Sequence, residues 1–139
     1  MRLLGIDFGF KRIGVAVAET EVGIVTPRAA MTASGTLKRD AEAISVLARR
    51  EEVDAVVLGL PVEESGEEGR MARICRTLAD HIVGNGITVH LVDESMTSVQ
   101  ADGTLRQDGL KASQRRKLRD GEAAALILER YLDGEETKG

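Results

Sequence analysis

Asp7, Asp120 and the pair Asp93-Glu94 occupy positions where carboxylates are costly. Asp7 lies inside an apolar run, between Ile6 and Phe8. Asp120 lies within a helical stretch; with about 100° per residue, Ala123, Ala124, Ile127, Leu128 and Tyr131 fall around it. Glu122, Glu129, Arg119 and Arg130 fall on the opposite half, so Asp120 sits in the middle of an apolar face. Asp93 and Glu94 directly follow another apolar run. Neighbours on a strand point to opposite faces, so at most one of the two shares a site with Asp7. A carboxylate on an apolar face loses hydration and must be compensated. The plain readings are a salt bridge or turn cap for Asp7, a solvated strand end for Asp93-Glu94, and a buried Arg or backbone partner for Asp120. The chemical reading is that they converge. Crowded carboxylates repel, and a divalent cation relieves the repulsion. Oxygen ligands without His or Cys favour magnesium or manganese, which keep open positions for a substrate phosphate. The chemistry that follows is phosphodiester hydrolysis with one ion or two.

The remaining composition supports that reading by exclusion. One cysteine, Cys75, rules out an intramolecular disulfide framework and a Cys-rich zinc site; two histidines, His81 and His90, leave little for a His-based one. Cys75 and His81 read as core and boundary residues of a helix, and His90 as a packed or edge residue of a strand. The three aromatics, Phe8, Phe10 and Tyr131, are too few for a platform of rings stacked on bases. The net charge of -4 does not advertise a nucleic-acid binder, but the basic residues are segregated. Lys11 and Arg12 follow Asp7, and Lys111, Arg115, Arg116, Lys117 and Arg119 precede Asp120. Together they form a phosphate-binding flank; the plain alternative for the cluster before Asp120 is a solvated basic helix start that opposes the helix dipole. Gly9 permits a tight turn. Thr97 serves as a helix cap or as a hydrogen-bond partner of Glu94.

The elements that must position these residues follow from periodicity. Residues 3–8 and 12–18 read as strands joined by a Gly9-Phe10-Lys11 turn, and 22–31 as a third strand that Pro27 bulges, ends or confines to an edge. Residues 36–52 carry helical spacing through Leu37, Ala41, Ile44, Leu47 and Ala48. Residues 53–60 are nearly all apolar, as in a central strand covered on both faces. A polar loop over 62–69, a helix over 70–83, a strand over 87–92 and a weak helix over 96–108 follow. Ser113 caps a last helix reaching Leu132, with 133–139 fraying. The fold class is α/β: a mixed five-stranded sheet, with the first three strands an antiparallel meander, flanked by helices in one domain over 1–139. An aspartate interrupts the N-terminal apolar run, which therefore does not read as a signal peptide, and no run approaches the ~20 apolar residues of a membrane span. A cytoplasmic protein without membrane association is expected.

Four blocks in this order, GIDFGFKRIGVAV (5–17), VVLGLP (56–61), VDESMTSVQA (92–101) and RDGEAAALILERYL (119–132), resemble the YqgF/RuvX family of RNase H-like nucleases over essentially the whole chain. The resemblance implies an RNase H-like fold with Asp7, Glu94 and Asp120 as the acidic catalytic and metal-binding residues. It implies a Mg2+- or Mn2+-dependent nuclease acting on RNA. Its expected role is maturing the 5′ end of the small-subunit (16S) rRNA precursor, with the ribosomal particle as a partner. A Holliday junction resolvase acting on DNA and a catalytically silent RNA- or ribosome-binding module are the alternatives. The chain departs from the family pattern in three places. Ser95 stands where an arginine is usual, Glu63 and Glu64 add charge to the polar loop, and Gly121 follows the helix acid.

Overall fold

A computed structural model describes residues 1–62, 68–93 and 112–138. Strands β1 (Arg2–Asp7), β2 (Arg12–Glu19) and β3 (Ile24–Thr32) are followed by α1 (Leu37–Arg50), β4 (Ala55–Leu60), α2 (Arg70–Gly84), β5 (Val89–Asp93) and α3 (Ala112–Lys138). They build one five-stranded sheet in the order β3-β2-β1-β4-β5. β2 pairs antiparallel with β1 and β3, whereas β4 runs parallel to β1 and β5. The α/β class, the antiparallel meander and the mixed sheet are as the periodicity predicts. β4 is buried at every position, as its continuous apolar run requires. Pro27 pairs with Ala16 on the outermost strand, and the β2–β3 register shifts between Ile13 and Val15, so of its three predicted outcomes the edge position and the bulge hold while the strand runs on to Thr32.

Side chains alternate between two cores. Leu4, Ile6 and Phe8 meet α1 and α2 through Ala41, Ile44, Cys75 and Leu78. Leu3, Ala16, Ala18 and Val57 meet α3 through Ala124, Ile127 and Leu128. Asp7 has the parity of Leu3 and Gly5 and therefore belongs to the α3 side. The N-terminal strand is anchored at its other end by Arg2, which donates to the Glu51 carbonyl at 2.6 Å and pairs with Glu19 and Glu51.

α3 differs from its expected limits at both ends. It already includes Ala112, so Ser113 lies inside the helix rather than capping it; the strong helix formers that follow carry the turn through. At the other end it continues through Lys138, past Leu132, because polar residues prolong a helix without needing a core face. The expected helix over 96–108 lies outside the described residues. Among the described residues, no helix is long and apolar enough to cross a membrane.

Candidate active site

The site forms where α3 crosses the sheet, and glycines set how close it comes. Asp7 pairs with Gly14 across the β1–β2 ladder. A Cβ at Gly14 would lie 2.2 Å from the Asp120 carbonyl oxygen and 3.3 Å from the Asp7 Cβ. Only hydrogen fits there, so the backbone of Asp120 rests directly on the strand pair that carries Asp7. Gly5 does the same one turn further on, where a Cβ would lie 2.8 Å from the Ala124 carbonyl and 2.6 Å from Leu128 Cγ. Gly121 faces the edge strand, with its Cβ position 3.0 Å from the Arg28 carbonyl and 3.1 Å from Pro27. Gly121, one of the three departures from the family pattern, is the residue that lets α3 sit against β3.

Asp7 and Asp120 thereby line one cleft of 280 Å³ with Phe8, Gly9, Phe10, Lys11 and Arg12. The Arg12 Nε donates to Asp120 Oδ2 at 2.7 Å. The Asp120 side chain is 16% exposed and that of Arg12 is 38% exposed, so the pair spans the edge of the cleft. The plain expectation for Asp120, a partnering arginine, is thus realised at one oxygen, and Arg12 is engaged with a carboxylate rather than standing free for phosphate. Asp120 Oδ1 has no hydrogen bond among the described residues. Lys11 is exposed at the rim and makes no ion pair among the described residues; its carbonyl accepts from the Ala33 N–H at 3.0 Å, which fixes the turn to the end of β3. Gly9 is confined by the Arg12 carbonyl, 2.7 Å from where a Cβ would stand.

The end of β5 reaches α3 from the opposite side. His90 stacks on Tyr131 with ring centroids 5.2 Å apart, so it is packed as expected. Asp93 Oδ2 lies 4.0 Å from Arg130 Nη2. His90 and Val92 have the parity of the α3 face. Glu94, Thr97, Lys111, Glu63, Glu64 and Ser95 lie outside the described residues, and Arg115 and Arg116 fall in the opening turns of α3 without described side chains. Among the described residues, no three His, Cys, Asp or Glu side chains form a metal-binding group. The described site therefore brings together two of the three expected acids.

Sequence reasoning missed two residues beside this cleft. Phe10 is 62% exposed at its mouth, and Asp40 is buried to 3% exposure in the first turn of α1. Asp40 shares the helical stripe of Leu37, Ala41 and Ile44, the same signal that singled out Asp120.

The family model for RuvX, described as a Holliday junction resolvase, matches residues 1–134. The chain belongs to the RuvX family. This is a nuclease family, and its members are hydrolases acting on phosphodiester bonds. A relative from Anaeromyxobacter sp. (strain K) is 43% identical over 135 residues, covering 96% of this chain and 97% of its own. One from Methylobacillus flagellatus is 38% identical over 133 residues, covering 95% and 90%. Both carry the name "Putative pre-16S rRNA nuclease". Among solved structures, Thermus thermophilus RuvC in complex with a Holliday junction substrate aligns with a TM-score of 0.57 at 16% identity, over 96% of this chain and 95% of that one. The RuvX chain thus has the RNase H-like fold that its four sequence blocks imply.

Proposed function

We propose that this RuvX-family chain is a divalent-metal-dependent nuclease that processes the 16S rRNA precursor, with Asp7, Glu94 and Asp120 as its metal-binding and catalytic acids. The observation that carries the reading is the meeting of Asp7 and Asp120 over Gly14, in a cleft with Lys11 and Arg12 on its rim. Glu94 is taken as the third acid because the four sequence blocks resemble the family's pattern there, and of two adjacent acids only one can join Asp7. The names of the relatives support precursor rRNA as the substrate.

The donor set is entirely hard oxygen, which suits Mg2+ or Mn2+. A cation held there supplies charge to activate water and to stabilise the leaving oxygen. The chain's own residues do the positioning. Arg12 holds Asp120 through Oδ2 and leaves Oδ1 turned to other partners. Asp7 is held against Gly14 at the end of β1. Lys11 offers an ammonium to a phosphate, and Lys111, Arg115 and Arg116 extend that charge toward the start of α3. Gly9, Asp93 and Thr97 support the turn and the strand end beside the acids. The reading also places the protein in the cytoplasm with the ribosomal particle as its partner.

The test is incubation of purified protein with labelled 16S rRNA precursor in Mn2+ or EDTA. Cleavage is expected with Mn2+ only, and Asp120→Asn is expected to lower it by about a hundredfold or more. The Asn carbonyl still accepts from Arg12, so the melting temperature should hardly change. Equal cleavage by Asp120→Asn would reject the assignment. The family description favours a second reading, a resolvase of DNA junctions. A resolvase needs two active sites and hence a dimer. Cleavage of a four-way junction with the precursor left intact would establish that reading. Metal-independent RNA binding without any cleavage would establish a silent binding module.

A further inference from the structure

Behind the acid cleft lies a second cavity, of 130 Å³, lined by Phe8, Phe10, Gly35, Thr36, Leu37, Asp40 and Ile74. The two cavities share Phe8 and Phe10 and so adjoin across the turn after β1. Three features of the second one are only partly used by the fold. Asp40 is buried to 3% exposure, yet among the described residues only Oδ1 is used, accepting the Ser34 N–H at 2.7 Å, and Oδ2 has no hydrogen bond. A buried acceptor without a donor is unfavourable and calls for a ligand that brings one. Thr36 stands at the N-cap of α1, but its hydroxyl makes no capping hydrogen bond. Phe10 remains 62% exposed while its ring is held edge-to-face on Phe8, with centroids 6.0 Å apart and planes at 79°. A flat apolar wall, a buried acceptor and a free hydroxyl, in a space the size of one planar heterocycle, match the chemistry of a nucleobase.

We propose that this cavity receives one unpaired nucleobase of the substrate strand, stacked on Phe10 and donating an exocyclic amino hydrogen to Asp40 Oδ2. The inference rests on the nuclease reading for its ligand class and adds a substrate preference to it. The strand must be single at this point, because a base within a duplex cannot leave its stack at no cost. Adenine, cytosine and guanine carry an exocyclic amino group, whereas uracil has none and offers only its N3–H, flanked by two carbonyl oxygens that repel the carboxylate.

The chain contains no tryptophan, so F10W makes the stacking ring the sole indole. We would titrate this variant with oligo(A), oligo(C) and oligo(U) RNA in EDTA, where nothing is cut, and with the oligo(A)·oligo(U) duplex. The single strands should quench the F10W emission and the duplex should not. Oligo(A) and oligo(C) should bind about tenfold more tightly than oligo(U), and Phe10→Ala should weaken their binding about tenfold. Asp40→Asn keeps an acceptor for the Ser34 N–H and turns a donor into the cavity, so it should reverse the preference toward oligo(U). A merely structural Asp40 would not change the base preference. Equal binding of the three strands, an unreversed preference in Asp40→Asn, or unquenched emission with bound RNA would overturn the proposal. Cleavage of the rRNA precursor by the wild type without such quenching removes this inference and leaves the nuclease reading standing. Quenching with base preference but no cleavage in Mn2+ does the reverse.

Discussion

At the scale of single residues, the charges of this molecule are distributed unevenly between work and repulsion. The Arg12–Asp120 bond joins residues 108 apart in sequence, and no local pattern in either segment announces it. The apolar wheel around Asp120 reveals that the acid must be compensated but not which cation does so. Glu129 shows an opposite case. Partial burial, then the charges of Glu122 and Asp133, push its carboxyl above the ordinary range. A raised acid pKa means that the folded state binds the proton more tightly than the unfolded chain. Stability therefore falls as pH rises through the ordinary value of 4.5 toward the folded one, and the penalty is complete above it. Glu129→Gln should raise stability slightly at pH 7, the effect being small because the side chain is exposed and its repulsions are screened by solvent, and have no effect at pH 3, as thermal melts at the two pH values would show. The reverse sign holds for Glu68, whose hydrogen bond to Arg76 lowers its pKa, so that pair strengthens as pH rises to about the ordinary value and is lost in acid.

At the scale of elements, the strands and the first two helices were legible because apolar residues repeat at two or at three and four. Pro27 limited β3 to a bulged, ended or edge strand, and the unbroken run of β4 declared a centre. The docking of α3 was not legible. It depends on Gly14 and Gly5, and a glycine in a strand carries no apolar or polar signal of its own. The end of α3 escaped for a related reason, since Glu135, Glu136 and Lys138 have no core stripe to mark a helix. Gly14→Ala tests the docking. Its methyl meets a backbone carbonyl, which cannot rotate away, so about 1–3 kcal/mol of stability should be lost. Cleavage should fall as well, because α3 carries Asp120 away from Asp7. Gly84→Ala, in the last turn of α2 with nothing within 4 Å of the added carbon, is the control and should leave cleavage unchanged and stability equal or slightly higher. Intact melting and cleavage in Gly14→Ala would show that the close approach is dispensable.

At the scale of the whole molecule, the sheet separates two kinds of interior. One face is a conventional core of branched side chains under α1 and α2, and the other is a thin alanine-lined layer beneath a single helix bearing a carboxylate. The catalytic reading draws only on the second, which leaves the first free to supply stability. The buried Asp40 is the exception, a charged group placed at the upper margin of the conventional core, and its position there is what singles it out. Cys75 belongs wholly to that core, with no exposed surface, and is the sole thiol of the chain. Its sulfur can meet a disulfide reagent only when α2 lifts from the sheet. The rate of thiol exchange in native buffer is therefore a built-in clock for opening, far slower than in denaturant, and every variant discussed above can be timed by it without attaching a label.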